Sequence, residues 1–176
     1  KGVGFRKWYG NKEYAINWAE DGRELKAAVV ERYGGGSYTK EIRSEDKYFR
    51  DGITWSALTS SASSFRLTNY GALFDSAGST MVPTGQEDSL LGLLNTPIVK
   101  TILAIINPTL NFGAGSVANI PVTLPNDPDI SGHRVQEIVS SAKRDWDAYE
   151  RSWDFQSLPL LTASSEPTPT LESSYA

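Results

Sequence analysis

The stretch LLGLLNTPIVKTILAIINPTLNFGAGSVANIPV, residues 90–122, decides the fold. Its first half repeats apolar residues at the three- and four-residue spacing of an α-helix, which predicts one helix over residues 86–106. Asn107 and Pro108 then end the helix, and the glycines that follow let the backbone turn. The segment IPVTLP predicts a short strand at the end of this return.

The remaining elements are predicted by the same patterns. We expect a short amphipathic helix at RELKAAVVERY, ended by three glycines, and a longer helix over residues 131–151. Alternating residues predict strands at EYAINW and ITWSAL and paired strands within FRLTNYGALFDSAGST. The predicted class is therefore α+β, a mixed, curved β-sheet with packed helices, plus a C-terminal helical segment.

The chain divides by composition into three parts. Residues 1–125 hold the predicted sheet and the first helices, and residues 126–161 hold the C-terminal helix and an anchor segment. Residues 162–176 are rich in Ser, Thr, Pro and Glu, which predicts a disordered tail.

Composition excludes several kinds of site. The chain has no cysteine and one histidine, so disulfides, thiolate metal sites and His-rich metal sites are excluded. We expect His133 to be an exposed residue at a helix start, without the oriented partner and nucleophile that a general base needs. The acidic pairs Asp127/Asp129 and Asp145/Asp147 lack the spacing of a calcium loop, so no metal and no catalytic residue are expected.

The start of the sequence and its apolar segments indicate whether the chain associates with a membrane and whether it is part of a longer protein. No window approaches 18 uncharged apolar residues and no signal-peptide pattern opens the sequence, so no membrane association is expected. The single methionine is Met81, which predicts that the chain is a piece of a longer protein.

Charge is distributed unevenly along the chain. The net charge is −4, yet residues 1–50 carry 11 of the 17 basic residues against 8 of the 21 acidic ones. A basic face with interleaved aromatic rings is typical of nucleic-acid binding, whereas core packing is the alternative for the tryptophans. The predicted DNA-binding residues are Arg6, Lys7, Trp8, Tyr9, Lys12, Arg43, Lys47, Arg50 and Arg66.

The sequence NPTL at residues 107–110 is similar to the Asn/Asp-Pro-Pro-aromatic loop with which amino-methyltransferases hold a flipped base. The second proline and the aromatic ring are missing, so we interpret these residues as the end of a helix.

Seven pieces in order resemble one family: GVGFRKWYGNKEYAINW (2–18), GITWSALTSS (52–61), FD-x-x-GS (74–79), LLGLLNT (90–96), NPTLNF (107–112), NIPV (119–122) and SAKRDWDAYERSWDFQSLPLL (141–161). Together they resemble the C-terminal target-recognition region of the PglX-type adenine-specific DNA methyltransferases of phage-exclusion (BREX) and restriction-modification systems.

The resemblance implies a role in reading double-stranded DNA in the cytoplasm of a bacterium. In that family an N-terminal domain binds S-adenosylmethionine and methylates adenine. That domain is not in this chain, so the resemblance implies no cofactor here and no methyl transfer by this chain alone. It implies as partners double-stranded DNA, the N-terminal methyltransferase domain and other phage-defence proteins.

Two other functions stay open from the residues alone. Exposed aromatic anchors would also suit a protein-interaction module of a defence complex. The abundance of Trp, Tyr, Asn and Gly would suit a carbohydrate-binding module. If the chain recognises DNA, we expect it to bind duplex DNA weakly and in a salt-sensitive way. The affinity should fall when Arg6, Lys7, Lys12 or Arg66 is replaced.

Overall fold

The computed structural model describes residues 4–58, 62–69, 71–75, 77–109, 111–163, 170 and 172, with the backbone alone for residues 128–131 and 162–163. Its helices are α1 (Ala19–Arg32), α2 (Glu87–Leu94), α3 (Pro97–Ile106), α4 (Ala114–Ala118), α5 (Pro128–Asp147) and α6 (Pro159–Ala163). Its strands are β1 (Gly52–Trp55), β2 (Phe65–Thr68) and β3 (Thr80–Met81). The residues predicted to form a disordered tail lie mostly outside the described residues.

The three strands form one sheet, in the order β2-β1-β3, with both pairs antiparallel. The N-terminal segment adds a parallel bridge between Trp8 and Arg66 at the outer edge of β2. Its backbone bonds are Trp8 N to Phe65 O and Leu67 N to Trp8 O, both 2.9 Å long. A small sheet among helices confirms the predicted α+β class and the strand predicted at ITWSAL.

The core lies between the sheet and the helix pair α2–α3. Five of its side chains are almost completely inaccessible to solvent: Ile53, Phe65, Leu91, Val99 and Leu103. Burial of side chains of this size contributes about 1.5–3 kcal/mol each. The apolar half of the deciding stretch therefore forms the centre of the molecule.

The prediction of one helix over residues 86–106 is wrong, because two helices with axes bent by 66° form there. Pro97 occupies the first turn of α3, where its missing N–H costs no hydrogen bond. Thr96 is extended, and its Oγ1 accepts a 3.3 Å hydrogen bond from Val99 N. This N-cap and proline start a new helix in the middle of an unbroken apolar pattern.

No described helix alone has the length and apolar composition to cross a membrane. Taken together, α2 and α3 meet both criteria, although the pair is sharply bent.

Two predicted strands are wrong. The segment EYAINW has no regular structure, and its apolar Tyr14 and Ile16 are more than half exposed. The segment IPVTLP is likewise irregular, and Val122 is 51% exposed. Pro121 and Pro125 have no backbone N–H to donate to a neighbouring strand, which explains the second case.

The regular part of the first helix begins where the sequence predicts it, after an irregular first turn. Residues 20–22 have left-handed backbone angles, so the right-handed part of α1 begins at Arg23. The three glycines after it adopt φ values between +66° and +108°, which other residues rarely adopt. The predicted helix at RELKAAVVERY and its glycine end are confirmed.

The long C-terminal helix begins and ends three to four residues before the predicted bounds of 131–151. It packs on α2, where a Cβ on Gly92 would lie 2.9 Å from Val135 Cγ2. The division of the chain at residue 125 stays a prediction.

Asn95, at the break between α2 and α3, is 93% buried and ties the helices to the sheet. Its Nδ2 donates to Phe65 O at 2.9 Å, and its Oδ1 accepts from Phe65 N at 3.2 Å. We expect Asn95→Leu to lower the free energy of unfolding by about 1–3 kcal/mol, because the buried N–H of Phe65 then lacks a partner. Urea unfolding measures this loss, and the exposed Asn119→Leu is the matched control. An Asn95→Leu chain as stable as the original would contradict the assigned role.

Candidate functional site

The sheet has one apolar face and one polar face. Side chains alternate along β1 and β2, so Ile53, Trp55 and Phe65 point into the core. Thr54 and Arg66, which are register partners, lie on the opposite face. Thr80 of β3 is paired with Thr54 and continues this polar face.

A groove of about 570 Å³ lies over the polar face, and we call it the sheet groove. The strands supply Thr54, Arg66, Thr68 and Thr80 to its floor. One wall is residues 10–16 of the N-terminal segment, and the other is the 69–73 connection. Trp18, Phe49 and Trp153 also line it. The groove therefore unites segments that are far apart in the sequence.

Arg66 is an unusual residue for the interior, because it is only 3% exposed. Its Nη2 donates to Ser56 Oγ at 3.2 Å, whereas its Nη1 is buried without a hydrogen-bond partner. No described acidic side chain forms an ion pair with it. Burial lowers the pKa of Arg66 to about 10, so the guanidinium is a charged group with an unmet demand for an acceptor.

Lys12 is the second cation of the sheet groove. Its Nζ donates to Asn69 Oδ1 at 3.3 Å and lies 4.4 Å from the centre of the Tyr9 ring. Burial, assisted by the nearby charge of Lys143, lowers the pKa of Lys12 to about 8. Both groove cations therefore lie where their charge is poorly compensated.

Glu13 is the acidic residue among the described groove residues, and its carboxylate already has a partner. Arg151 Nε lies 3.5 Å from Glu13 Oε1. The charge of Glu13 is thus partly offset from outside the groove, which leaves the groove with a positive balance.

An aromatic cluster holds one end of the groove in place. Trp18 meets Tyr48 and Phe49 edge-on, with ring centres 5.4 and 6.0 Å apart. Phe49 N also donates a 3.0 Å hydrogen bond to Ala72 O in the opposite wall. Such edge-to-face pairs favour a fixed arrangement, so this end of the groove is preorganised.

The predicted DNA-binding residues fall into two groups. Four have structural roles beside or inside the core. Arg6 Nη2 lies 2.6 Å from Asp145 Oδ2 and its guanidinium lies over Trp146, while Lys7 Nζ donates to Asn95 O at 2.9 Å. Trp8 extends the sheet and Tyr9 is 5% exposed.

The second group lies in or near the groove. Lys12 and Arg66 line it, and Arg43, Lys47 and Arg50 are exposed on the segment that contains Phe49. Arg43 Nη2 donates to Lys40 O at 3.1 Å. Neither Lys47 nor Arg50 forms an ion pair with a described residue. These three cations are exposed, so a polyanion in solution can reach them directly.

The structure also places the other residues considered for catalysis or metal binding. The His133 side chain is 76% exposed and lies 3.6 Å from Glu137, although it sits inside α5 and not at its start. Asn107 ends α3, and its Nδ2 donates to Asn111 O at 2.6 Å. Among the described residues no three His, Asp or Glu side chains form a metal-binding cluster.

The threonine floor of the groove was not predicted from the sequence. The signal was present in ITW and FRLT, where apolar and polar residues alternate, but the polar positions were not assigned to a common face. That assignment needs the pairing register of β1 with β2 and β3, which short strands do not specify.

The lowered pKa of Lys12 makes stability depend on pH. The unfolded chain holds this proton up to about pH 10.5, whereas the folded chain releases it near pH 8. The contribution of Lys12 to the free energy of unfolding therefore rises from pH 8 to pH 10.5. We expect Lys12→Met to be more stable than the original chain at pH 7 and to lack this rise. Urea unfolding at pH 7 and pH 10 tests this, with the exposed Lys100→Met as control; equal pH dependence in both variants would contradict it.

No protein-family model matches the chain. It is 35% identical over 172 residues to the adenine-specific methyltransferase PglX of Lacticaseibacillus casei (strain Zhang), which covers 94% of this chain. It is 32% identical over 165 residues to the adenine-specific methyltransferase BrxX of Escherichia coli O9:H4 (strain HS), which covers 92% of it. The chain spans 14% and 13% of the lengths of these relatives. It therefore belongs with the PglX-type adenine-specific methyltransferases, as a segment of such a protein.

Proposed function

We propose that this chain is the part of an adenine-specific DNA methyltransferase that recognises double-stranded DNA. One observation supports this above the others. The exposed cations Arg43, Lys47 and Arg50 belong to the segment that contributes Phe49 to the sheet groove, and the groove's own cations, Lys12 and Arg66, have little compensating charge. Asp46 and Asp51 adjoin Lys47 and Arg50 in the sequence, but neither of these two cations forms an ion pair with a described residue, and positive charge available in this way favours a polyanion as ligand.

The exposed cations suit contacts with phosphates. Lys47 and Arg50 are held on either side of Phe49, whose backbone is bonded to the groove wall. Phosphate contacts of this kind fix the position of a protein on a duplex but carry no sequence information. Amide groups at the edge of the groove, such as that of the exposed Asn69, are of the type that discriminates between bases.

The chemistry of methyl transfer belongs to the rest of the protein on this proposal. The catalytic domain would bind S-adenosylmethionine, and this chain alone would transfer no methyl group. The proposed partners are DNA, that N-terminal methyltransferase domain and other phage-defence proteins, in the bacterial cytoplasm.

The exposed cations give a test of the duplex interaction. We expect the triple variant Arg43→Gln/Lys47→Gln/Arg50→Gln to bind duplex DNA at least about tenfold more weakly, because fewer phosphates are neutralised and fewer counterions are released. The slope of log affinity against log salt should become shallower by about 0.9 for each phosphate that is no longer neutralised. Fluorescence anisotropy of a labelled duplex, between about 50 and about 200 mM salt, measures both quantities.

The control is Lys100→Gln/Arg134→Gln, which removes two exposed cations from α3 and α5. Both helices lie outside the groove, so binding should change less than twofold. Equal losses in the two variants would mean that overall charge, not this segment, governs binding.

A second candidate function is a protein-interaction module, and an exposed apolar face of α3 favours it. Ile98 and Ile105 are 67% and 76% exposed and lie two helical turns apart, with Ile106 beside them. Apolar side chains in such a row are typical of a contact surface. Because the chain spans about a seventh of its relatives, the rest of the same polypeptide is the proposed occupant.

This interface is tested in the full-length protein. We expect Ile98→Asp/Ile105→Asp to leave duplex binding by this chain unchanged and to loosen the attachment of the segment to the rest of the protein. Limited proteolysis of the full-length protein should then release the segment faster. The matched control is Lys100→Asp, because this exposed residue lies on a different face of the same helix and its replacement changes the charge by the same amount. Unaltered proteolysis would argue against the contact. A screen in which the chain binds glycans and not DNA would overturn both proposals and favour a carbohydrate-binding module.

A further inference from the structure

The sheet groove is too small for a duplex but suits one component of a strand. Its volume of about 570 Å³ lies in the range typical of small-molecule sites, about 300–1,000 Å³. A base inside a duplex is stacked and paired, so it enters a pocket of this kind only after leaving the stack. The groove therefore has the dimensions of a site for a single nucleotide.

The charge of the groove favours an anionic group at its floor. Arg66 lines the groove from the sheet and forms no ion pair with a described acidic residue, and Lys12 lies in the adjoining wall. Coulomb attraction is less screened in such a region than at an open surface. Glu13 has its own partner in Arg151, so the groove keeps an excess of positive charge.

The rim offers a flat surface for a base. Trp153 is 71% exposed although it lines the groove. The turn that carries it is fixed on both sides: Ser152 Oγ donates to Asp147 Oδ1 at 2.7 Å and accepts from Asp154 N at 3.1 Å. An indole that extends from such a turn and is left open to solvent is suited to stacking against an unpaired base.

The hydroxyls of the floor are oriented by the sheet. Thr54 Oγ1 donates to Ser79 O at 2.9 Å, so its remaining lone pair can accept a hydrogen bond from a ligand. Thr68, 8% exposed, lies on the same face of the neighbouring strand. These groups supply neutral contacts between the cationic floor and the aromatic rim.

We propose that the sheet groove holds one unstacked nucleotide of a DNA strand, with its phosphate near Lys12 and Arg66 and its base against Trp153. The site deepens, and rests on, the proposed recognition of DNA. On this proposal, the exposed cations of the 43–50 segment contact the duplex. The groove holds a nucleotide that has left the stack.

The experiment uses the whole chain and four probes: a labelled single-stranded tetranucleotide, a deoxynucleoside monophosphate, inorganic phosphate and a labelled duplex. We expect the tetranucleotide to bind more tightly than the monophosphate, and inorganic phosphate to compete weakly with both. A monophosphate that binds as tightly as the tetranucleotide would identify a free nucleotide as the ligand and overturn the assignment to a strand.

Two variants remove the two halves of the site. Trp153→Ala removes the stacking surface and should weaken tetranucleotide binding about tenfold, the effect of removing one base–aromatic stack. Arg66→Met removes the buried charge and should weaken binding by about the same factor, because the phosphate loses a poorly screened attraction. Lys100→Gln and Tyr149→Ala are the controls, because they remove an exposed cation and a 55% exposed ring that do not line the groove. The controls should change binding less than twofold.

The unfolding temperature of Arg66→Met shows whether Arg66 binds the ligand or only stabilises the fold. A buried cation without an ionic partner opposes folding, so Arg66→Met should unfold at a temperature equal to or above that of the original chain while losing the ligand. If Arg66→Met fails to fold, Trp153→Ala still tests the site, because that side chain is largely exposed. Tetranucleotide binding that is unchanged in Trp153→Ala would overturn the proposal.

Binding of the labelled duplex separates the groove proposal from the proposed function. Duplex binding that depends on Arg43, Lys47 and Arg50, without any tetranucleotide binding, would overturn the groove proposal and leave the proposed function standing. Absence of binding to both probes would overturn both.

Discussion

The buried amide of Asn95 is the interaction on which the rest of the structure depends. It lies where α2 ends, and it bonds both backbone groups of Phe65 at the beginning of β2. Its own backbone carbonyl accepts a hydrogen bond from Lys7. One residue thus joins the helix pair, the sheet and the N-terminal segment. A buried amide with these bonds satisfied specifies one arrangement more strictly than apolar packing alone.

Once β2 is fixed in this way, the two faces of the sheet have different roles. Phe65 on the core side is fully buried, so its neighbour Arg66 must lie on the other side. The N-terminal segment then covers that side, because Trp8 pairs with β2 and Arg6 binds Asp145 of α5. The groove exists because the N-terminal segment no longer covers the sheet from Gly10 onward, where residues 10–16 form one wall of the groove. A Cβ on Gly10 would lie 2.5 Å from Arg6 Nε, so this close approach requires glycine.

Sequence patterns predicted the elements that depend on local chemistry. The helix at residues 23–33, the strand at ITWSAL and the end of α3 at Asn107 follow from periodicity and breaker residues near in the chain. The break at Asn95 was missed because the apolar repeat continues through it. There the N-cap at Thr96 and the proline at position 97 outweigh hydrophobic periodicity, while the partner of Asn95 is 30 residues away in the sequence.

The candidate site was harder to predict, because a charged residue is informative only when its partners are known. In the sequence Arg6, Lys7, Lys12 and Arg66 look equivalent. In the structure two of them are satisfied by Asp145 and by the Asn95 carbonyl, and these contacts hold the fold together. Arg66 differs, because its burial removes water without supplying an anion, which opposes folding. A sequence selected for stability alone would favour an apolar side chain at this position. A residue that lowers stability in its own fold is most simply explained by a contact made outside it, and the groove above Arg66 is where such a contact can form.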